Sequence, residues 1–210
     1  MGRRELQKQK RRAAMLAAAR RLFERQGYAR TTFEEIAAAA GVGVATVYKY
    51  FSSKEGIVVE LLEPDLRRIL AAAQKVIDRL PLDPARSMVQ LLAAYADLGG
   101  RNWASRQLLR LTVFPGLEND GLITRFVHVA DAQTQGQISE LLRRQQAAGR
   151  LHAKLPVADA TAIIFALLNQ HFGMFLFEPG SSYRRTFAQL SRRVRLVFAD
   201  WGAHSKGIPT

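Results

Sequence analysis

A chain of 210 residues, 48% apolar, is long enough for one large or two modest domains with a packed core, and too apolar to be disordered. It contains no cysteine, which excludes disulfides, thiolate metal sites and a cysteine nucleophile, and suits a reducing cytoplasm. The net charge of +13 is unevenly placed: residues 1–54 hold 12 Lys/Arg against 4 Asp/Glu, the remainder 19 against 14. Basic charge gathered at one end is the footprint of a protein that neutralises phosphates. The alanine-rich stretch at 13–19 does not read as a targeting segment, because Arg20 and Arg21 interrupt it. The longest uncharged apolar run, 162–168, is far short of the ~20 residues a bilayer span needs. A soluble, cytoplasmic protein with no membrane partner is expected.

In chain order, residues 1–10 read as a mobile basic arm, and a first helix is predicted over 8–26. Met15, Ala18, Ala19, Leu22 and Phe23 form its apolar face and Gly27 ends it. Thr32 opens a second helix with Glu35 three residues on, the capping-box spacing. Phe33, Ile36, Ala37 and Ala40 share one face of that helix, and Gly41 with Gly43 turns the chain. A third helix follows over 44–51, with Val44, Val47 and Phe51 inward and Ala45, Thr46, Tyr48, Lys49 and Tyr50 outward or sideways. Two short helices joined by a glycine turn are the helix-turn-helix layout, whose second helix enters the DNA major groove.

The elements Gly27-Tyr28, Thr31-Thr32, Ile36-Ala37, Ala40-Gly41-Val42, Thr46, Tyr48, Tyr50-Phe51 and Lys54 keep order and spacing over nearly thirty residues. In this stretch the chain resembles the DNA-binding head of TetR-family (tetracycline-repressor-like) transcriptional regulators. The DNA-contacting candidates are Thr31, Thr32, Val44, Ala45, Thr46, Tyr48, Lys49, Tyr50 and Lys54. Helix N-termini and hydroxyls suit phosphates, and Thr46, Lys49 and the small residues suit base edges. Lys54 opens a fourth helix where a cation opposes the helix dipole, a local misfit that a phosphate would relieve.

That fourth helix is predicted over 54–80, kinked at Pro64, either as a hinge or as a fixed bend. Further helices are predicted over 85–98, 102–113, 120–148, 157–177 and 183–201, with no repeat and no strand. The fold expected is all-α with about nine helices. A three-helix head at 1–54 precedes an effector-binding and dimerisation body at 55–210. Helix 8 is apolar around most of its circumference: Ala160, Ile164, Leu167, His171 and Phe175 on one face, Thr161, Phe165, Leu168 and Phe172 on another.

The resemblance implies a homodimer through the last two helices, a palindromic double-stranded operator and a small-molecule effector held among helices 4 to 8. Pocket candidates are Trp103, Leu109, Phe114, Phe126, His128, Phe165, Asn169 and Phe172, which suit an apolar or aromatic effector. The function expected is that of a ligand-released repressor. The alternatives are a same-fold DNA-binding protein with a chromosome role, and a helical small-molecule carrier or enzyme. No catalytic motif, cofactor fingerprint or metal constellation is found; His128 and Asp131, one turn apart, could share a metal, but such a pair is common by chance.

Overall fold

The computed structural model describes residues 2–80, 82–96, 106–113, 121–178 and 180–202. Among them are nine α-helices and no strand. The helices are α1 (Arg3–Gln26), α2 (Phe33–Ala40), α3 (Val44–Tyr50), α4 (Lys54–Arg79), α5 (Pro84–Ala96), α6 (Arg106–Val113), α7 (Leu122–Ala147), α8 (Val157–Phe177) and α9 (Tyr183–Trp201). The all-α expectation therefore holds, with one isolated bridge between Leu151 and Gly202.

The largest departure from the predicted boundaries is at the start, where α1 opens at Arg3 and the basic arm is helical. The run Arg3 to Lys10 consists of Arg, Glu, Leu, Gln and Lys, all good helix formers, with no Gly or Pro to stop propagation. The other starts follow their caps. Asp83 accepts from the Arg86 N–H at 2.9 Å and sets Pro84 in the first helical position of α5. The Ser182 hydroxyl accepts from the Arg185 N–H at 3.2 Å and caps α9. α4 runs through Pro64 without a break in its helical assignment.

The chain forms two compact units, one of residues 1–65 and 104–127, the other of residues 66–103 and 128–210. In the first, α1, α2 and α3 bury Met15, Ala18, Ala19, Leu22, Phe23, Phe33, Ile36, Ala37 and Val47. Ile57, Val58, Leu61 and Leu62 of α4 are buried in the same unit. Arg12 of α1 donates from Nε to Glu60 of α4 at 2.8 Å and lies 5.1 Å from the centre of the Phe51 ring. The Glu55 carboxylate accepts the Leu122 N–H at 2.9 Å, an anion at the N-terminus of α7.

In the second unit, Ile69, Ala73 and Ile77 of α4 join Met88, Leu91, Leu92 and Tyr95 of α5 and Ile138, Leu141 and Leu142 of α7. Ala160, Ile164 and Leu168 of α8 and Leu190, Val194 and Phe198 of α9 complete this core. Several polar groups inside it are paired across helices. The Tyr95 hydroxyl donates to Gln137 at 2.9 Å, and the Gln137 amide donates to the Leu70 carbonyl at 3.0 Å. The buried Gln145 amide donates to Ser87 at 2.9 Å.

α8 is long and apolar enough by length and composition to cross a membrane. The run at 162–168 underrates it because Asn169, Gln170 and His171 interrupt the apolar residues without adding charge. Ala160, Thr161, Ile164, Leu168, His171, Phe175 and Leu176 are buried, as in the core helix of a folded unit.

Candidate nucleic-acid interface

The face that could meet a duplex is built from the ends of α2, α3 and α4. Thr32 caps α2 in the reciprocal arrangement that its spacing predicts. Its hydroxyl accepts from the Glu35 N–H at 3.2 Å, and Glu35 accepts from the Thr32 N–H at 2.9 Å. The Gln26 amide donates to the same carboxylate at 2.8 Å, tying the end of α1 to the start of α2. That amide, then the Thr32 N–H, holds the Glu35 carboxyl below the ordinary carboxylate range. Gly41 ends α2 in the left-handed conformation, φ 67°, and its N–H returns to the last turn.

α3 then offers a graded surface. Val47 is fully buried, Val44, Thr46 and Tyr50 are partly buried, and Ala45, Tyr48 and Lys49 are exposed. Tyr48 is 58% exposed although its ring rests edge-on against Phe33 at 4.7 Å. Its ring is thus braced by α2 while most of the residue stays exposed, the presentation a phosphate-binding tyrosine needs.

Thr31 and Lys54 have internal partners. Thr31 is 1% exposed and its hydroxyl donates to the Gly27 carbonyl at 2.9 Å, so it holds the α1–α2 turn. The Lys54 ammonium donates to the carbonyls of Tyr28 at 3.0 Å and Ala29 at 3.3 Å, and lies 4.6 Å from the centre of the Tyr28 ring. These carbonyls relieve the misfit of a cation at a helix start, and one ammonium proton remains for an outside acceptor. Sequence reasoning missed this Tyr28 platform, the Gln26–Glu35 tie and the Arg12–Glu60 pair. All three join residues remote along the helix faces, and no local spacing announces them.

Residues 15–61, from the packed half of α1 into α4, match the family model "Bacterial regulatory proteins, tetR family". In its head the chain is similar to the TetR family. The regulator EthR of Mycolicibacterium smegmatis is 35% identical over 78 residues, 37% of this chain and 36% of EthR. The probable regulator ArpR of Pseudomonas putida is 38% identical over 86 residues, 40% of each chain. The match thus spans well under half the length of these curated relatives. SmeT, the repressor of the Stenotrophomonas maltophilia multidrug efflux pump SmeDEF, shares the fold: TM-score 0.72 and 18% identity over 94% of this chain and 93% of SmeT.

The effector candidates are more dispersed. Trp103 and Phe114 lie outside the described residues. In the first unit, Leu109 is buried on α6 and Phe126 is partly buried on α7. In the second, His128 and Asn169 are exposed, while Phe165 and Phe172 pack against the core. His171 is buried among the rings of Phe172, Tyr183 and Phe187, and its Nδ1 lacks a hydrogen-bond partner among the described residues. Burial pushes its pKa down. Burial raises that of Asp131, with His128 acting in the opposite direction. Among the described residues no group of three or more His, Asp or Glu is placed to hold a metal ion.

Proposed function

We propose that this chain is a ligand-responsive transcriptional repressor that binds a palindromic operator as a homodimer. The observation that carries the reading is the outward face of α3, with Ala45, Tyr48 and Lys49 exposed on a helix seated by buried Val47. Thr46 and Lys49 would meet base edges, Ala45 and Val44 thymine methyl groups, and Thr32, Tyr48, Tyr50 and Lys54 phosphates, with Thr31 holding the turn beneath them. SmeT's role as a repressor, and the regulators that match the head, support the transcriptional part.

Dimerisation is assigned to α8 and α9. Ile163 and Phe177 on α8 and Leu196 on α9 are large apolar side chains left 45%, 42% and 66% exposed. A two-fold pair would present two α3 helices to half-sites about one helical turn apart. An apolar or aromatic effector in the second unit, near Phe165 and Phe172, with His128 and Asn169 as polar contacts, would release the operator. It does so only by binding the released state more tightly than the DNA-bound one.

Selection by the full chain from a random duplex library at ~150 mM salt tests this reading, since non-specific binding is weakened there. An enriched palindrome with half-sites about one turn apart is expected. Enrichment of dispersed, asymmetric sites would favour a chromosome role instead, and no enrichment would contradict DNA reading altogether.

A further inference from the structure

The first turns of α1 contribute no buried residue to the core of the head. Residues 2–11 are all exposed, and burial begins at Met15. Arg3, Arg4, Lys8, Lys10 and Arg11 lie on this overhang with Glu5 as its one acid, and none of the five cations has an ion-pair partner among the described residues. Arg4, Lys8 and Arg11 continue the same helical stripe as Met15, Ala18, Ala19 and Leu22. The face that is apolar where α1 packs is therefore cationic where α1 projects.

By its own physics this overhang is unfavourable. Arg3 and Arg4 place positive charge at the positive end of the helix dipole. Arg4 with Lys8, and Lys8 with Arg11, are like charges at i,i+4 and i,i+3. An unpacked helix of this length is marginal in water. An anionic partner laid along the stripe reverses all three costs. The overhang also starts at a definite place. Arg12, beside it, is held over the ring of Phe51, the residue that follows α3, and is paired with Glu60. From Arg12 back to Arg3 the helix reaches about 14 Å, roughly four base-pair steps.

We propose that the overhanging start of α1 is a second DNA-contacting element, with Arg4, Lys8 and Arg11 lying along phosphates that flank the half-site occupied by α3. The proposal rests on the head reading above and adds affinity without adding sequence preference, because phosphates carry none.

The test uses the full chain and its Arg4→Gln, Lys8→Gln, Arg11→Gln variant, in which Gln preserves helix propensity. Each is titrated between 50 and 200 mM salt with two duplexes. One is the selected palindrome trimmed at its last enriched base pair; the other is extended by 8 base pairs of unrelated sequence at each end. On the extended duplex the variant should show a log–log salt dependence shallower by about 2.7 per subunit, roughly a 40-fold smaller change in affinity for each half-site over this range. On the trimmed duplex the two proteins should respond alike.

Equal salt dependence on the extended duplex overturns the proposal, as does an equal change on both duplexes. Binding of vesicles rich in anionic lipid that the variant loses, with its DNA response unchanged, assigns the stripe to a membrane surface and also overturns it. Failure of the head reading is separately visible, because Tyr48→Ala would then bind the extended duplex as tightly as the wild type.

Discussion

At the scale of single residues, the head is held by a few polar ties whose removal has distinct signatures. Thr32→Ala removes the acceptor for the Glu35 N–H and should cost about 1 kcal/mol, read as a lowered thermal midpoint. Its partner Glu35 gives a pH signature. With a native pKa below the unfolded value, its stabilisation is present above the unfolded pKa and is lost as pH falls through the native one. Glu35→Gln should therefore flatten the acid limb of the stability curve, and an unchanged limb would refute the tie. His171 acts at higher pH. It is buried and its pKa is lowered, so protonation opposes folding; stability should decline as pH drops from about 6.5 toward the lowered native value. His171→Phe, which fits the surrounding rings, should remove that decline in urea denaturation followed across pH 5 to 8. The capping box was legible from the sequence because Thr32 and Glu35 lie three residues apart. The partners of Lys54 and Glu35 were not, because Tyr28 and Gln26 reach them only through the angle between helices.

At the scale of elements, the same contrast recurs. Periodicity located α2, α3, α8 and α9 within a residue or so, since apolar spacing and punctuating Gly, Pro and Ser coincide there. The start of α1 was not legible, because propensity alone carries its first turns and no packing requirement marks them. The burial pattern of α8 was half legible. Both apolar faces read from the sequence point toward the body core, Thr161 and Leu168 being buried along with Ala160, Ile164, His171 and Phe175. The exposed stripe runs instead through Ala162, Ile163, Ala166, Asn169, Gln170 and Phe177. That stripe, with Leu196 of α9, is the surface assigned to the dimer. Ile163→Asp with Leu196→Asp should leave the helical content intact and shift the sedimentation coefficient to that of a monomer; a persistent dimer would place the seam elsewhere. Within the head, Met15→Ala empties a fully buried site under α1 and should cost about 2–5 kcal/mol in chemical denaturation.

For the whole molecule, the proposed function couples a basic head to a body that pairs two copies. Charge placement and the glycine turn make the DNA half legible in the sequence. The effector half was less so, because an aromatic residue on a helix face has the same pattern whether it fills a core or lines a pocket. Phe165 and Phe172 illustrate this, each partly buried against the body core. The central claim is that the outer face of α3 recognises a symmetric operator, and binding of the selected palindrome by wild type and Tyr48→Ala at ~150 mM salt tests it most directly. Tyr48 is mostly exposed, so the variant should keep its thermal midpoint within a few degrees. Loss of a hydrogen bond to a charged phosphate, about 1.5–3 kcal/mol per subunit, predicts roughly ten- to hundredfold weaker binding for each half-site. Equal affinity of the two proteins would contradict the account.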